Sequence, residues 1–438
     1  MAGNIANMAR IPELRKRLLF TLLLIAVYRL GVHIPTPGID SAALAAFFKQ
    51  QKGTLFEVFN LFSGGALQKF SIFALGIMPY VSASIILQLL TVVFPYLERL
   101  QKEGELGRRK IVQYSRYLTV VLSMIQGFGI ASFLENQGGL SGTRLVLNPG
   151  MWFKFQTVIT LASGTSFIMW LGEQITERGV GNGISLIIFA GIVAGFPGAV
   201  ANLFQLVDAN QIGALGVVGV IALMVGVVWV IVFMEQAQRR VPVQHAKRIV
   251  GRRMYQAQSS YLPLKINMSG VIPPIFASSL LTFPATIAAF SNVPWLQAVT
   301  QQLGYGGWIY NSLEVGLIIF FCYFYTAVQF NPVDVADNMK KFGSYVPGIR
   351  PGQNTAEYIE KVIERLTLVG AIYVSAICVL PILLQQKAGV SFYFGGTSLL
   401  IVVGVAIDTM AQIESHLLTH HYEGFLGPHA SRLRGRRG

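Results

Sequence analysis

The sequence predicts an all-α polytopic membrane protein with ten transmembrane helices. Of its 438 residues, 53% are hydrophobic and only 12% are charged, and the mean hydropathy is +0.55. A soluble chain of this length would form two or three domains with far more charge, so the composition favours a membrane bundle. In addition, ten apolar runs have the length of a membrane span. They lie at approximately 18–36, 75–94, 117–134, 152–172, 183–203, 213–234, 269–290, 309–330, 367–385 and 397–417.

The basic residues predict the orientation of these spans. When successive connections are assigned to alternate sides, the side with both termini carries 27 of the 34 Lys and Arg residues, and Arg29 lies within the first span. The opposite side carries Lys49, Lys52, Lys69, Arg144, Lys154 and Lys387. By the positive-inside rule, both termini are cytoplasmic. No A-x-A-like cleavage site follows the first run, so we expect it to be a retained span.

A shorter apolar stretch, broken by Gly64 and Gly65, precedes the second span. The stretch from Asn60 to Ala74 would rise only about 22 Å as a helix, too little for a hydrocarbon core of about 30 Å. Backbone that ends at membrane depth needs protein or a water-filled cavity around it. We therefore expect a segment that folds back or lies inside the protein, movable within a channel or transporter.

The spans divide into an N-terminal half, residues 1–203, and a C-terminal half, residues 204–438. The second span of each half is irregular, because one follows the double glycine and the other contains Pro273, Pro274 and Pro284. Corresponding irregular helices in two halves are typical of inverted-repeat transport proteins. Proline removes a backbone donor, so we expect a hinge at the double proline.

Two cytoplasmic connections are long enough to protrude from the membrane. Loop 235–268 is strongly basic, and short alternating stretches such as Val241 to His245 favour a hairpin. Loop 331–366 balances acidic and basic residues, and Thr355 is expected to cap a short helix there. A basic C-terminal tail follows the last span, for which a solvated end is the ordinary interpretation.

Residues for catalysis or coupled transport are scarce. No metal-spaced His/Cys cluster or nucleophile–base set is visible, and the Gly179 to Gly183 turn lacks the Lys-Ser/Thr of a phosphate-binding loop. We therefore expect neither an enzyme nor a cofactor. Coupled transport places ionisable groups at mid-membrane depth, where only Asp408 is reasonably central, and a helix–helix hydrogen bond explains it as well. Cys322 and Cys378 lie in apolar runs and are expected to be buried and unpaired. An ion- or proton-coupled secondary solute transporter remains the alternative function.

Aliphatic side chains are abundant in the irregular spans. Val81 and Ile85 lie four residues apart on one predicted helix, and Ile188, Ile275 and Ile401 lie in three other spans. Packing in the core is the ordinary interpretation of such a pair. If the five side chains converge, they form an apolar constriction that blocks ions by dewetting without gripping any particular permeant. Such a constriction would suit a conduit for a chemically varied polymer.

Six blocks of sequence make the chain similar to the SecY family, whose members form the channel of the Sec protein translocon. The resemblance extends from Ile11 to Leu426. The blocks are GVHIPTPGID at 31–40, FSGGALQKFSIFALGIMPYVSASIILQLL at 62–90, GEQITERGVGNGISLIIFAGI at 172–192, LPLKINMSGVIPPIFASSLL at 262–281, VPGIRPGQNT at 346–355 and GGTSLLIVVGVAIDTMAQIESHLL at 395–418.

The resemblance implies two inverted five-helix halves around an hourglass pore that conducts unfolded preproteins. Residues 60–74 would be its plug, and the five aliphatic residues its pore ring, with Val81 where the family often has Ile. The plug residues are Ser63, Gly64, Gly65, Leu67, Phe70, Ser71 and Phe73. The second and seventh spans would form a lateral gate that releases apolar segments into lipid, with Gln88, Asn267 and Val271 as gate residues. Asn267 equally suits a cap of the seventh span.

The resemblance also implies docking residues on the cytoplasmic loops. Arg350 lies between two Pro-Gly pairs that favour turns, and it would contact the motor ATPase SecA or ribosomal RNA, although a solvated arginine explains it as well. The basic residues of the first loop fix the topology and also suit an acidic partner or RNA phosphates. The docking set is Arg239, Arg240, Lys247, Arg248, Arg252, Arg253 and Arg350. The implied partners are SecE, SecG, SecA, the ribosome, preproteins and membrane lipid, with a homodimer left open. The implied location is a bacterial inner membrane.

Overall fold

The computed structural model shows a chain that is mostly helical. It describes residues 11–40, 43–44, 46–47, 60, 63–140, 145–208, 213–245, 248–250, 253–255, 259–290, 307–388 and 396–425. The helices are α1 (Pro12–Gly31), α2 (Met78–Val93), α3 (Pro95–Lys102), α4 (Glu105–Leu140), α5 (Met151–Arg178), α6 (Gly183–Ala194), α7 (Phe196–Asp208), α8 (Ala214–Gln236), α9 (Ile272–Phe290), α10 (Trp308–Gln329), α11 (Pro332–Lys341), α12 (Gln353–Ala388) and α13 (Gly396–Phe425).

The lengths of these helices agree with a multi-pass membrane protein. Six helices in the described part of the chain are long and apolar enough to cross a membrane. A seventh span is counted if α2 and α3, which meet at an angle of 100°, are taken as one broken span. The helical, multi-pass class is therefore confirmed, whereas the count of ten spans remains a prediction.

The chain forms two compact units. Unit 1 comprises Met1–Gly198, Pro284–Gln297 and Val405–Gly438, and unit 2 comprises Ala199–Phe283 and Ala298–Gly404. The predicted inverted repeat between residues 1–203 and 204–438 remains a prediction.

In unit 1, helices α4 and α5 form an antiparallel pair with an ion pair towards each end. Arg116 Nε lies 2.8 Å from Glu173 Oε1, and Lys154 Nζ lies 3.0 Å from Glu135 Oε2. The second pair is only about a quarter exposed. Partly buried charges need partners of opposite sign, so the two contacts fix the register of the helix pair.

The Gly179 to Gly183 turn is a packing junction of unit 1. The backbone N–H of Val180 donates to Thr21 Oγ1 at 3.1 Å, and that of Gly181 donates to Gln412 Oε1 at 2.9 Å. The first acceptor lies on α1 and the second on α13. The turn therefore uses its amides to bind two helices of its own unit.

In unit 2, the basic loop forms the expected hairpin. Strands β1 (Gln238–His245) and β4 (Ser259–Lys265) are antiparallel, with Val241 opposite Leu262. A short pair, β2 (Arg248–Val250) and β3 (Arg253–Tyr255), lies between them in sequence. Loop 331–366 contributes β5 (Ser344–Tyr345), which pairs with β1 to give the order β4-β1-β5. The sequence did not predict this third strand, because it is only two residues long.

The double proline begins helix α9 and does not interrupt it. Because α9 starts at Ile272, Pro273 and Pro274 lie in its first turn. Backbone N–H groups of a first turn have no acceptor within the helix, and the fixed φ of proline suits that position. The expected weakening of a helix interior at the double proline is therefore wrong, and hinge motion there remains a prediction.

The helix expected after Thr355 is not short. Helix α12 begins at Gln353 and runs to Ala388, so the end of loop 331–366 is continuous with the ninth predicted span. Thr355 lies inside its first turn, and its hydroxyl donates to the carbonyl of Arg350 at 2.9 Å. The cap prediction is wrong; Thr355 instead fastens the turn that carries Arg350.

Candidate functional site

The glycine-broken segment lies inside unit 1. Residues 63–77 form a series of turns, and helix α2 begins only at Met78. The chain is too short there to span a membrane, and most of its apolar side chains are buried in protein instead. The buried members of the predicted plug, each at most 3% exposed, are Ser63, Leu67, Phe70, Ser71 and Phe73.

The middle of this segment pairs with the chain that follows α1. The N–H of Thr36 donates to Phe70 O at 2.8 Å, and the N–H of Ile72 donates to Ile34 O at 3.0 Å. Pro35 and Ser71 form an isolated antiparallel bridge between these two bonds. The segment thus satisfies part of its backbone outside any regular helix, as buried backbone must.

Glycines of the surrounding helices make room for the segment. A Cβ added to Gly31 would lie 2.0 Å from the Phe73 ring, and one added to Gly164 would lie 1.9 Å from Ile72 O. Gly64 itself lies against the backbone of Gly191, where a Cβ would come within 2.7 Å of the Cα atom. The two glycines of the predicted break have φ of +65° and +84°. Glycine adopts these angles readily, whereas other residues are strained there.

Two side chains of α1 bind the start of the segment. The Tyr28 hydroxyl donates to Ser63 O at 3.1 Å, and Arg29 Nη1 donates to Gly64 O at 3.0 Å. The sequence placed Arg29 within the first span without assigning it a partner. A span-end arginine usually reaches for the membrane interface, so no sequence signal marked this contact.

The five predicted ring residues are all buried aliphatic side chains on helices. Val81 and Ile85 lie on α2 and Ile188 on α6, within unit 1, whereas Ile275 on α9 and Ile401 on α13 lie within unit 2. Their exposed fractions are 6%, 4%, 1%, 5% and 0% in that order. Their assignment to a ring remains a prediction.

Among the predicted gate residues, Asn267 makes the most polar contacts. Its amide nitrogen donates to Glu235 Oε1 at 2.6 Å and to Gly270 O at 3.1 Å, and its oxygen accepts from Ser269 Oγ at 3.1 Å. Helix α9 starts five residues later, at Ile272. Asn267 therefore accepts no helical N–H, and the cap interpretation is wrong.

The other two predicted gate residues belong to different units. Val271 of unit 2 packs on Gly404, where an added Cβ would lie 2.3 Å from Val271 Cγ1. Gln88 of unit 1 is half-buried, and its Oε1 atom has no hydrogen-bond partner among the residues that the structure describes. The gate role of all three residues remains a prediction.

Three of the predicted docking residues are exposed. Arg239, Arg240 and Arg350 all face solvent. The guanidinium of Arg240 lies 4.9 Å from the centre of the Tyr261 ring across the hairpin, a cation–π contact that orients it. Arg248 and Arg253 lie on β2 and β3, and Lys247 and Arg252 fall outside the described residues. His245 joins the three strands, with Nδ1 2.7 Å from Ser344 Oγ and Nε2 3.3 Å from Ser260 Oγ.

The burial of the acidic residues in the spans bears on the alternative of coupled transport. Asp408, the central acid, is exposed, whereas Glu314 on α10 is 4% exposed. Sequence position placed Asp408 centrally and Glu314 near the start of its span, but it did not show which is buried, since burial depends on which face of a helix is covered. Cys322 and Cys378 are buried and free, as predicted.

Comparison with known proteins gives a consistent result. The SecY family model matches residues 71–410. The protein translocase subunit SecY of Escherichia coli K12 is 55% identical over 418 residues, which cover 94% of each chain. A solved SecY structure, described by its plug domain stabilising the closed state of the translocation channel, has a TM-score of 0.62 at 17% identity, over 94% of this chain and 96% of that one. Sec61 of the canine ribosome-channel complex has a TM-score of 0.60 at 16% identity, with the same coverage.

Proposed function

Because this chain belongs to the SecY family, we propose that it is the protein-conducting channel subunit of a translocase. It lets unfolded polypeptide cross a membrane and releases apolar segments sideways into lipid. It is a channel and not an enzyme. The similarity to translocase subunits along nearly the whole chain carries the conclusion, and it leaves the coupled solute transporter without support.

The segment of residues 60–74 acts as the plug of this channel. Support comes from its burial inside unit 1 and from the glycines that seat it without any regular helix. The ring is formed by Val81, Ile85, Ile188, Ile275 and Ile401, each a buried aliphatic residue. Aliphatic walls exclude ions by dewetting and grip no particular side chain, so a varied polypeptide can pass.

Lateral release follows from the free energy of transfer into lipid. The gate is formed by the second and seventh spans, with Gln88, Asn267 and Val271 as gate or gate-adjacent residues. An apolar segment gains roughly 0.3 to 0.6 kcal/mol for each Leu-like residue, or on the order of 6 to 12 kcal/mol for a segment of about 20. A segment with several charges gains nothing in lipid and stays in the aqueous path. The hydrophobicity of the transported segment therefore determines whether it enters the lipid or crosses the membrane.

The partners are those of a bacterial translocon. The chain contains no nucleotide-binding motif, so the driving energy comes from the motor ATPase SecA or the ribosome, and SecE and SecG complete the complex. The exposed Arg239, Arg240 and Arg350 support docking on the cytoplasmic sheet and turn. We place the chain in the inner membrane, with ten spans in two inverted halves and both termini in the cytoplasm. Whether two copies associate is left to experiment.

Reconstitution tests the function. The complex purified through this chain and placed in vesicles should protect a preprotein from external protease when SecA and ATP are added. Vesicles with a SecY subunit of Escherichia coli serve as the positive control, and vesicles without ATP as the negative control. Uptake of a small solute without any protected preprotein would overturn the proposal.

A further inference from the structure

Two consecutive residues of α1 hold two consecutive carbonyls of the plug segment. Tyr28 is 1% exposed and donates to Ser63 O, and the half-buried Arg29 donates to Gly64 O. Both bonds come from side chains to backbone. They therefore depend on where the segment lies and not on which side chains it carries.

Tyr28 contacts the other part of the segment as well. Its ring stacks on Phe73, with 5.9 Å between ring centres and 17° between planes, and Phe73 in turn stacks on Phe167 of α5 at 6.1 Å. One tyrosine thus binds residue 63 through its hydroxyl and residue 73 through its ring. Departure of the segment breaks both contacts together.

The charge of Arg29 makes its bond the stronger of the two. A guanidinium in or near the hydrocarbon region is costly unless it finds acceptors. Hydrogen bonds from a charged donor are shorter and roughly twice as strong as neutral ones. The Gly64 carbonyl supplies an acceptor only while the segment is in place.

The seated segment also contains a strained residue. Phe70 has φ of +42°, which is unfavourable for a bulky side chain, and it is 1% exposed. Strain of this kind is relieved when the segment leaves. The seated state therefore needs specific contacts that oppose the strain, and Tyr28 and Arg29 provide them.

We propose that Tyr28 and Arg29 form a latch that holds the plug segment in its resting position and sets how often it opens. The latch rests on the proposed function, in which residues 60–74 move during translocation. Both residues are positioning residues, since they act through the backbone of the segment. When the segment leaves, the two hydrogen bonds to Tyr28 and Arg29 are replaced by hydrogen bonds to water. The latch therefore stabilises the closed channel without preventing it from opening.

Hydrogen exchange of the resting complex tests the latch. The full-length chain, with its copurifying partners in lipid nanodiscs, is compared with Tyr28→Phe, Arg29→Gln and Arg29→Lys. Tyr28→Phe keeps the ring stack and removes only the hydroxyl, so exchange in a peptide covering 63–77 should rise about 5-fold. Arg29→Gln should raise it roughly 10- to 100-fold, and Arg29→Lys, which keeps a charged donor, should restore part of the protection.

Two controls separate a latch from general stability. Lys16→Gln removes one charge from the exposed, opposite end of α1 and should leave exchange at 63–77 unchanged. Peptides of α4 should keep their wild-type exchange in every variant. Equal acceleration in α4 and in 63–77 would show a merely structural role and overturn the latch, as would unchanged exchange at 63–77 in Arg29→Gln.

A crosslink distinguishes the latch from the plug itself. A cysteine at Ser71 should crosslink to different neighbours in resting and in translocating wild-type complexes. Identical patterns would refute plug movement and the latch together. Different patterns, combined with wild-type exchange at 63–77 in both Tyr28→Phe and Arg29→Gln, would refute the latch and leave the plug assignment intact.

Discussion

At the scale of single residues, glycine allows the plug segment to lie within contact distance of the helices around it. Gly31, Gly164 and Gly191 each lie against atoms of the segment. Protein interiors are packed too tightly to accept an added methyl group without movement. These positions are therefore sensitive to the smallest possible substitution.

Gly164→Ala is expected to displace the segment. An alanine favours a helix interior by about 1 kcal/mol, but its Cβ would lie 1.9 Å from Ile72 O, and overpacking costs about 1 to 3 kcal/mol. We expect a lower Tm in thermal unfolding and a larger ion leak through the resting channel. Gly226→Ala on α8, where nothing lies within 4 Å of the added Cβ, should leave both unchanged or raise the Tm. Wild-type leak and Tm in Gly164→Ala would contradict this packing.

The ring assignment predicts a second residue effect. Ile401 is 0% exposed, and an unpaired amide in an apolar site costs about 1 to 3 kcal/mol, so Ile401→Asn should draw water into the constriction. The ion conductance of the resting channel should rise by roughly tenfold or more, since about 1.4 kcal/mol corresponds to a factor of ten. Ile401→Leu keeps the apolar wall and should leave the conductance low. If Ile401→Asn conducts no more than Ile401→Leu, Ile401 is not part of the seal.

At the scale of elements, the three-stranded sheet joins the two long loops, 235–268 and 331–366, into one structure. Strand β5 pairs with β1, and Val241, Leu264 and Val346 share a buried cluster with residues of α12. The turn that carries Arg350 is fixed to this core at one side and to Thr355 at the other. A rigid base under an exposed arginine is what a docking residue needs, because less entropy is lost on binding.

Arg350→Glu is expected to impair docking without disturbing the fold. The side chain is exposed, so the Tm and the amount of complex in the membrane should stay at wild-type values, whereas preprotein translocation driven by SecA should fall roughly tenfold or more. Lys361→Glu makes the same change of charge at an exposed position of α12 and is the matched control. Equal activity of the two variants would refute the docking role of Arg350.

At the scale of the whole molecule, the distribution of charge determines orientation. The net charge of +14 lies mainly on the side assigned to the cytoplasm. By the positive-inside rule, loops rich in Lys and Arg stay on the cytoplasmic side of the membrane. Helix α4 connects the basic residues Arg108, Arg109 and Lys110 near its start to the side assigned to the exterior, where Lys154 pairs with Glu135. In the proposed orientation, charge on the outer side is partly neutralised, while the inner side remains strongly basic.

Labelling of single cysteines tests this orientation. The two native cysteines are buried, so an impermeant maleimide should react only with cysteines introduced at exposed positions. Asn148→Cys should be labelled from outside intact cells, and Lys361→Cys only after the membrane is opened. Labelling of both positions from the same side would refute the proposed arrangement of spans.

The sequence by itself determined the membrane class, the helical fold, the hairpin of the first loop and the burial of both cysteines. Each follows from a local property: the hydropathy of a run, the alternation of a short stretch or the apolar neighbours of a side chain. That the 15-residue stretch from Asn60 to Ala74 is too short to cross a membrane also follows from a local property, its length, because the rise per residue of a helix is fixed.

Only the tertiary structure decided how distant residues pair. Arg29 and Gly64, Glu235 and Asn267, and the two cytoplasmic loops are far apart in sequence, and no periodicity records which donor meets which acceptor. The double proline and Thr355 were misjudged for a related reason, because a helix boundary depends on the backbone on both sides of it. Hydropathy predicts whether a segment lies in lipid or in water. Contacts between segments, in contrast, depend on packing that exists only after the chain has folded.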